Sequence, residues 1–215
     1  MNGKVYESIS CHPDIYLFQL SPAAVICAPG LREDQIAPLR AGKVEIVKGE
    51  NDPGGRYPDT ARYNASRVGD KVFHNLKYTD KVILDKVREE GLKLVGISQG
   101  YSRCSILPVS SNAIITSDEV IAGAASREGV EVLLLSPGGV FLPGEEYGFI
   151  GGCGGILPDG TVVLLGDPKL HPQGKEIERF LDRHTSNYLF LKGLPLYDAG
   201  GLLAVGRGTS CGCPE

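Results

Sequence analysis

The sequence predicts an α/β fold: five ββαβ units arranged as a ring with pseudo-fivefold symmetry. Three observations carry that prediction. Residues 101–139 read as strand, strand, helix, strand in about forty residues. His12, Tyr57, Tyr101, Phe149 and Tyr197 open comparable stretches and are separated by 45, 44, 48 and 48 residues, a steady period of the kind that marks repeat architectures. The fifth stretch stops before its helix, while residues 4–9 (KVYESI) form a strand without a copy of their own. Closing the ring lets that strand pair near residues 202–205 and removes exposed sheet edges.

In chain order, residues 15–20 and 24–27 are strands broken by Ser21-Pro22. Residues 31–40 form a short helix, weakened by Pro38, which removes a backbone donor, and 44–47 close the unit. KGENDPGG, 48–55, has the composition of a flexible polar loop. In the second unit, 61–68 and 71–75 make a hairpin across Gly69-Asp70. Thr79 caps a helix over 80–90 that buries Val82, Ile83 and Val87, and 92–97 close. In the third, 105–109 and 113–116 flank Ser-Ser-Asn, and Ser117 caps a helix with an apolar stripe of Val120, Ile121, Ala124 and Ala125. Gly129 ends that helix, and 130–135 form a buried strand. The fourth unit places strands at 148–156, 161–165 and 188–191, with a helix over about 172–184 burying Ile177, Phe180 and Leu181. Residues 196–205 supply only the start of a fifth.

Composition bounds the function. A single domain over 1–208 with a mobile tail at 209–215 accounts for the 215 residues, and 42% hydrophobic with 22% charged residues is ordinary for a soluble globular chain. The net charge of −4 argues against a nucleic-acid partner, whose phosphates demand a basic surface. No apolar run reaches the roughly twenty residues of a membrane span, and the N-terminus lacks a signal peptide's apolar core. Six cysteines are too sparse for a disulfide scaffold, which points to reduced thiols in a cytoplasmic protein.

A ring of five ββαβ units is the pentein architecture, shared by enzymes that modify guanidine groups and by a ribosome anti-association factor. The ordered motifs His12-Pro-Asp14, Tyr57-Pro-Asp59 with Asn64, Gly100-Tyr101 with Cys104, Ile115-Thr-Ser-Asp118, Tyr147-Gly-Phe-Ile-Gly-Gly152 and Gly166-Asp167 resemble a bacterial family placed near those enzymes. In the arginine-modifying members the resemblance implies a nucleophilic cysteine three residues after a Gly-Gly pair. Here the pair is Gly200-Gly201, and Ala204 stands at that position.

Covalent chemistry therefore needs another thiol. Cys153, in GGCGG, lies four residues after Phe149, so strand alternation turns it to the same side as that aromatic, toward the axis. Cys104, three residues after Tyr101, faces the helices as a small buried hydrophobe. His12 is the candidate acid-base group. His12, Asp14, Tyr57, Asp59, Tyr101, Arg103 and Asp198 come from different units and converge on the axis if the ring closes, and Asn64, from the Tyr57-Pro-Asp59 motif, is a further candidate binding residue. There Asp14 and Asp59 hold a guanidinium or amine through charge-assisted hydrogen bonds. The plainer alternatives are that Cys153 is a small residue among crowded strands and that the Pro-Asp pairs shape turns. GFIGGCGG lacks the Lys-Ser/Thr ending of a phosphate loop. His74, His171 and His184 show no metal-ligand spacing, and Cys211-Gly-Cys213 offers two ligands where a structural zinc needs four. No metal or cofactor is expected. Two readings follow: a hydrolase or transferase acting on a small guanidino or amidino compound through Cys153 and His12, or a catalytically silent ring that binds a small cationic ligand or a protein partner.

Overall fold

The computed structural model describes residues 5–206. Four three-stranded sheets follow one another along the chain on a common plan. The first contains β1 (Leu17–Ser21), β2 (Ala24–Cys27), helix α1 (Glu33–Ala41) and β3 (Glu45–Lys48). The second contains β4 (Ser66–Val68), β5 (Lys71–His74), α2 (Lys81–Glu89) and β6 (Lys93–Gly96). A one-turn helix, α3 (Ser102–Ser105), precedes β7 (Leu107–Ser110), β8 (Ala113–Thr116), α4 (Glu119–Arg127) and β9 (Glu131–Leu134). The fourth contains β10 (Gly154–Ile156), β11 (Val162–Leu164), α5 (Gly174–His184) and β12 (Tyr188–Phe190). In every sheet the first two strands are antiparallel and the third returns through the helix to lie parallel to the second. The first strands meet in succession, β1 against β4, β4 against β7 and β7 against β10.

Helix burial explains the apolar stripes except at Val120 of α4, which is exposed. Ile83 and Val87 of α2 pack among Phe18, Leu20 and Ile26 of the first sheet and Val72 of the second. Ile121, Ala124 and Ala125 of α4 join Val68 and Phe73 to Ile114. Ile177, Phe180 and Leu181 of α5 join Leu107 and Ile115 to Val162 and Leu164. Each of these helices is shared between its own sheet and the preceding one. Helix α1 has no preceding sheet among the described residues and buries only Ile36, which accounts for its weak apolar periodicity.

Local chemistry sets the helix ends. Asp80 accepts the Val82 N–H (3.0 Å) and Asp118 the Ile121 N–H (3.0 Å), so the N-caps stand one residue after the expected Thr79 and Ser117. Thr79 instead pairs its hydroxyl with His74 Nδ1 at 2.7 Å. Asp80 also accepts from the amides of Glu50 and Asn51, and Tyr63 donates its hydroxyl to the Asn51 carbonyl (2.7 Å). The loop over 48–55, expected to be flexible, is anchored at its start by these bonds.

Two expectations fail at the chain's ends. Residues 5–9 form no strand: Glu7–Ile9 is a 3-10 turn, and Val5 and Ile9 pack on Ile15 beside Tyr16 and Tyr101. The segment around Phe141 pairs with 196–198, and the place beside 202–205 expected for residues 4–9 goes to β10 and β1. Phe141 N–H donates to the Leu196 carbonyl (2.8 Å), and Asp198 N–H donates to that of Phe141 (2.9 Å). Residues 202–206 run between β10 and β1. Leu202 N–H donates to Gly154 O (2.9 Å), Gln19 Nε2 to Ala204 O (2.6 Å), and Gly206 N–H to Pro22 O (2.7 Å). Lys4, the Cys211-Gly-Cys213 motif and the expected tail lie outside the described residues. No helix among the described residues is long and apolar enough to cross a membrane.

Candidate functional site

The units open on short helical turns rather than strands: Pro13–Ile15, Asp59–Ala61, Ser102–Ser105 and Ile150–Cys153. Such turns rotate successive side chains by about 100–120°, so strand alternation aims neither Cys153 nor Cys104. The turns bring polar groups from every unit together.

Asn64 is the first hub, and it is fully buried. Its Oδ1 accepts the backbone N–H of Arg103 (2.8 Å) and of Cys104 (3.2 Å). Its Nδ2 donates to the Asp14 carbonyl (3.3 Å) and to Cys104 Sγ (3.2 Å). The Cys104 thiol in turn donates to Asp14 Oδ2 (2.9 Å). Cys104, expected to face the helices, is thus a member of the cluster. Asp14 Oδ1 is buried without a hydrogen-bond partner. Burial pushes this carboxyl up to about 7, partly opposed by the Cys104 and Asn64 bonds and by the Arg103 charge.

Arg103 is the second hub. Its Nη1 donates to the carbonyls of Gly151 (2.7 Å) and Ile106 (3.3 Å), and its Nη2 to those of Gly154 (2.7 Å) and Leu202 (3.1 Å). A planar guanidinium has five donors in a fixed fork, and four carbonyls from three segments of the chain take the four on Nη1 and Nη2. Burial lowers its pKa from the ordinary arginine value, while Asp14 and Asp198 act in the opposite direction. Gly201 makes room for it: φ is +77°, and a Cβ there would lie 2.7 Å from Arg103 Nη2.

Asp198 completes the group, accepting from Phe149 N–H (2.8 Å) and Gly200 N–H (3.0 Å). His12 Nδ1 stands 3.8 Å from Asp198 Oδ1, beyond hydrogen-bond reach, and is itself buried without a partner. Burial lowers the His12 pKa more than Asp198 raises it, which favours the neutral imidazole.

The remaining site residues separate from this cluster. Tyr101 lies at its margin, its hydroxyl between Tyr6 (2.6 Å) and Thr60 (2.5 Å). Tyr57 packs its ring on Tyr101 with centroids 5.6 Å apart but is 48% exposed. Asp59 is exposed and pairs with Arg62 three residues on, whereas Asp14 is fully buried. The expected Asp14–Asp59 clamp is therefore not assembled. Cys153 is fully buried, its thiol donates to the Phe149 carbonyl (3.5 Å), and burial and the Asp198 charge push its pKa well up. A reactive thiol needs the reverse shift.

Arg103 also lines a cavity of about 340 Å³ with Gln19, Arg67, Ile156, Leu203 and Ala204 among its walls. A second, wider cleft of about 710 Å³ is lined by His12, Tyr6 and Leu142 and bridged by the Ser8 hydroxyl donating to Glu145 (2.7 Å). The carbonyls around Arg103, the Cys104 thiol and Arg67 were missed in the sequence. Carbonyls carry no sequence signal, although Gly151, Gly152, Gly154 and Gly155 mark where the chain must approach closely.

A family model matches residues 1–203, a span that includes every side chain of the cluster. The chain belongs to DUF6873, a family of unknown function. No curated protein matches it. What this DUF6873 chain does therefore rests on the chemistry of the site just described.

Proposed function

We propose that the chain is a closed pentein-like ring of five units, the fifth incomplete, and that it is a catalytically silent member that binds a small molecule. Closure is supported by residues 202–206, which bond to β10 on one side and to β1 on the other. One observation carries the silent reading: the Arg103 guanidinium, held by four carbonyls, fills the place where the unit openings converge. A site shaped for an external guanidinium already contains an internal one, within the field of Asp14 and Asp198.

The thiols support the same reading. Cys153 is buried and bonded to a carbonyl, and Cys104 donates to Asp14. At the position that the pentein resemblance gives to the nucleophile, Ala204 presents a methyl group to the wall of the 340 Å³ cavity. That volume lies at the low end of the range for ligand clefts, about 300–1,000 Å³, and makes the cavity the binding site of this reading.

The test is a thermal-shift screen of small molecules against the wild type and Ala204→Phe, whose ring occupies the cavity. Ligands should raise the melting temperature of the wild type, lose that effect in the variant and be recovered unchanged. Release of ammonia or urea from any guanidino compound, abolished by Cys153→Ser, would restore the enzyme reading instead.

A further inference from the structure

The cavity at Arg103 has an electrostatic character that the sequence did not suggest. Among the described residues its charged lining residues are Arg67 and Arg103, with no aspartate or glutamate. This is unusual for a chain of net charge −4. Asp159, which falls between the lining residues Pro158 and Gly160, is exposed and accepts the Thr161 N–H (2.9 Å).

Arg67 projects from β4 and is half-buried. Its Nε donates to the Gly69 carbonyl (2.9 Å) and its Nη1 to the Leu20 carbonyl. These bonds hold the guanidinium across β1 and β4 but supply no counter-charge, and Arg67 makes no ion pair among the described residues. The partners of Arg103 are likewise neutral carbonyls. A cation in a partly dry site attracts an anion more strongly than it would in water, because the low local dielectric strengthens the pairing. The remaining walls are largely apolar, with Leu17, Pro108, Ile156, Leu157 and Leu203 prominent.

We propose that the cavity binds a small carboxylate with an apolar body, its carboxylate against Arg67 and its body against Ile156 and Leu203. This rests on the cavity being the binding site, and it reverses the charge of the ligand expected from sequence. A cationic ligand would face two guanidiniums and no carboxylate. The Gln19 amide in the same wall is committed to Ala204 O, and the four bonds of Arg103 are taken by carbonyls, which leaves Arg67 as the cation for the carboxylate.

The test uses hexanoate, hexan-1-ol and hexylamine, which share an alkyl body and differ in charge. Backbone amide shifts of Gly155, Gly160 and Leu203 report entry to the cavity. Hexanoate should shift these amides with at least about tenfold higher affinity than hexanol, an advantage of about 1.4 kcal/mol. Raising sodium chloride should weaken hexanoate alone. Arg67→Gln should bring hexanoate down to the level of hexanol, and Arg67→Lys, which keeps the charge and guards against a folding defect, should retain part of the advantage. Hexylamine or hexanol binding as well as hexanoate would overturn the ligand class while leaving the cavity as the site. If none of the three moves these amides at millimolar concentration, the binding-site reading falls with it.

Discussion

Arg103 and Leu202 are 99 residues apart in sequence, and the guanidinium of the first donates to the carbonyl of the second at 3.1 Å. Arg103 ties the end of the described chain to its middle, and Gly151 and Gly154 join through the same group. A hydrogen bond to a charged donor contributes about 1.5–3 kcal/mol, and a buried acceptor left bare costs a comparable amount.

Arg103→Ala should therefore destabilise the protein by about 3–5 kcal/mol, because four buried carbonyls lose their charged donor at once. Because the deleted group is itself a guanidinium, methylguanidine at low millimolar concentration should restore part of the lost melting temperature in the variant and none in the wild type. Equal response of the two proteins would refute the plug.

Asp14 gives a pH signature. Its carboxyl is raised from 3.8 to about 7 in the folded protein, so between about 4 and 7 the folded state keeps a proton that the unfolded state has released. Stability falls as pH rises through that window, by at most about 4 kcal/mol, and is flat above it. Buried His74 acts oppositely, because its pKa is lowered from 6.5 to about 4. There the unfolded state holds the extra proton, and stability rises with pH from about 4 to 6.5. Asp14→Asn removes only the falling component. Melting temperatures of the variant minus those of the wild type should climb from pH 4 to pH 7 and then level; a constant difference would show that Asp14 titrates normally.

The thiols should separate by burial. Cys11 is exposed, whereas Cys27, Cys104 and Cys153 are buried. Iodoacetamide at pH 7 should label Cys11 at least ~10-fold faster than these three, since reaction needs access and thiolate. Peptide mapping separates Cys211 and Cys213. His12→Ala should leave Cys153 as slow as before. Rapid labelling of Cys153 that depends on His12 would revive the sequence-based mechanism.

Two glycines test the crowding at the guanidinium. Gly160 and Gly201 both have positive φ, +87° and +77°, but a Cβ meets nothing within 4 Å at Gly160 and Arg103 Nη2 at 2.7 Å at Gly201. Alanine at 160 should cost only the backbone strain, roughly 1–2 kcal/mol. Alanine at 201 should cost clearly more by denaturant unfolding, and the extra should vanish in an Arg103→Ala background.

The sequence by itself determined the repeat. Period, hairpin turns and apolar stripes follow from local rules, and Gly91 and Gly129, at φ +67° and +73°, follow α2 and α4 as expected. It also marked Asp14, Arg103, Asp198 and His12 as residues that converge. What that convergence does depends on contacts made after folding. Helical openings replaced the strands from which Cys153 was aimed, so its sulfur points to a carbonyl. A local pair with Arg62 removed Asp59, and residues 202–206, beside which residues 4–9 were expected to pair, bond to β10 and β1 instead. The physical reason is that backbone carbonyls, which hold Arg103, are identical at every residue. A sequence shows which side chain carries a charge, but the partners that fill its fork exist only once the chain has folded around it.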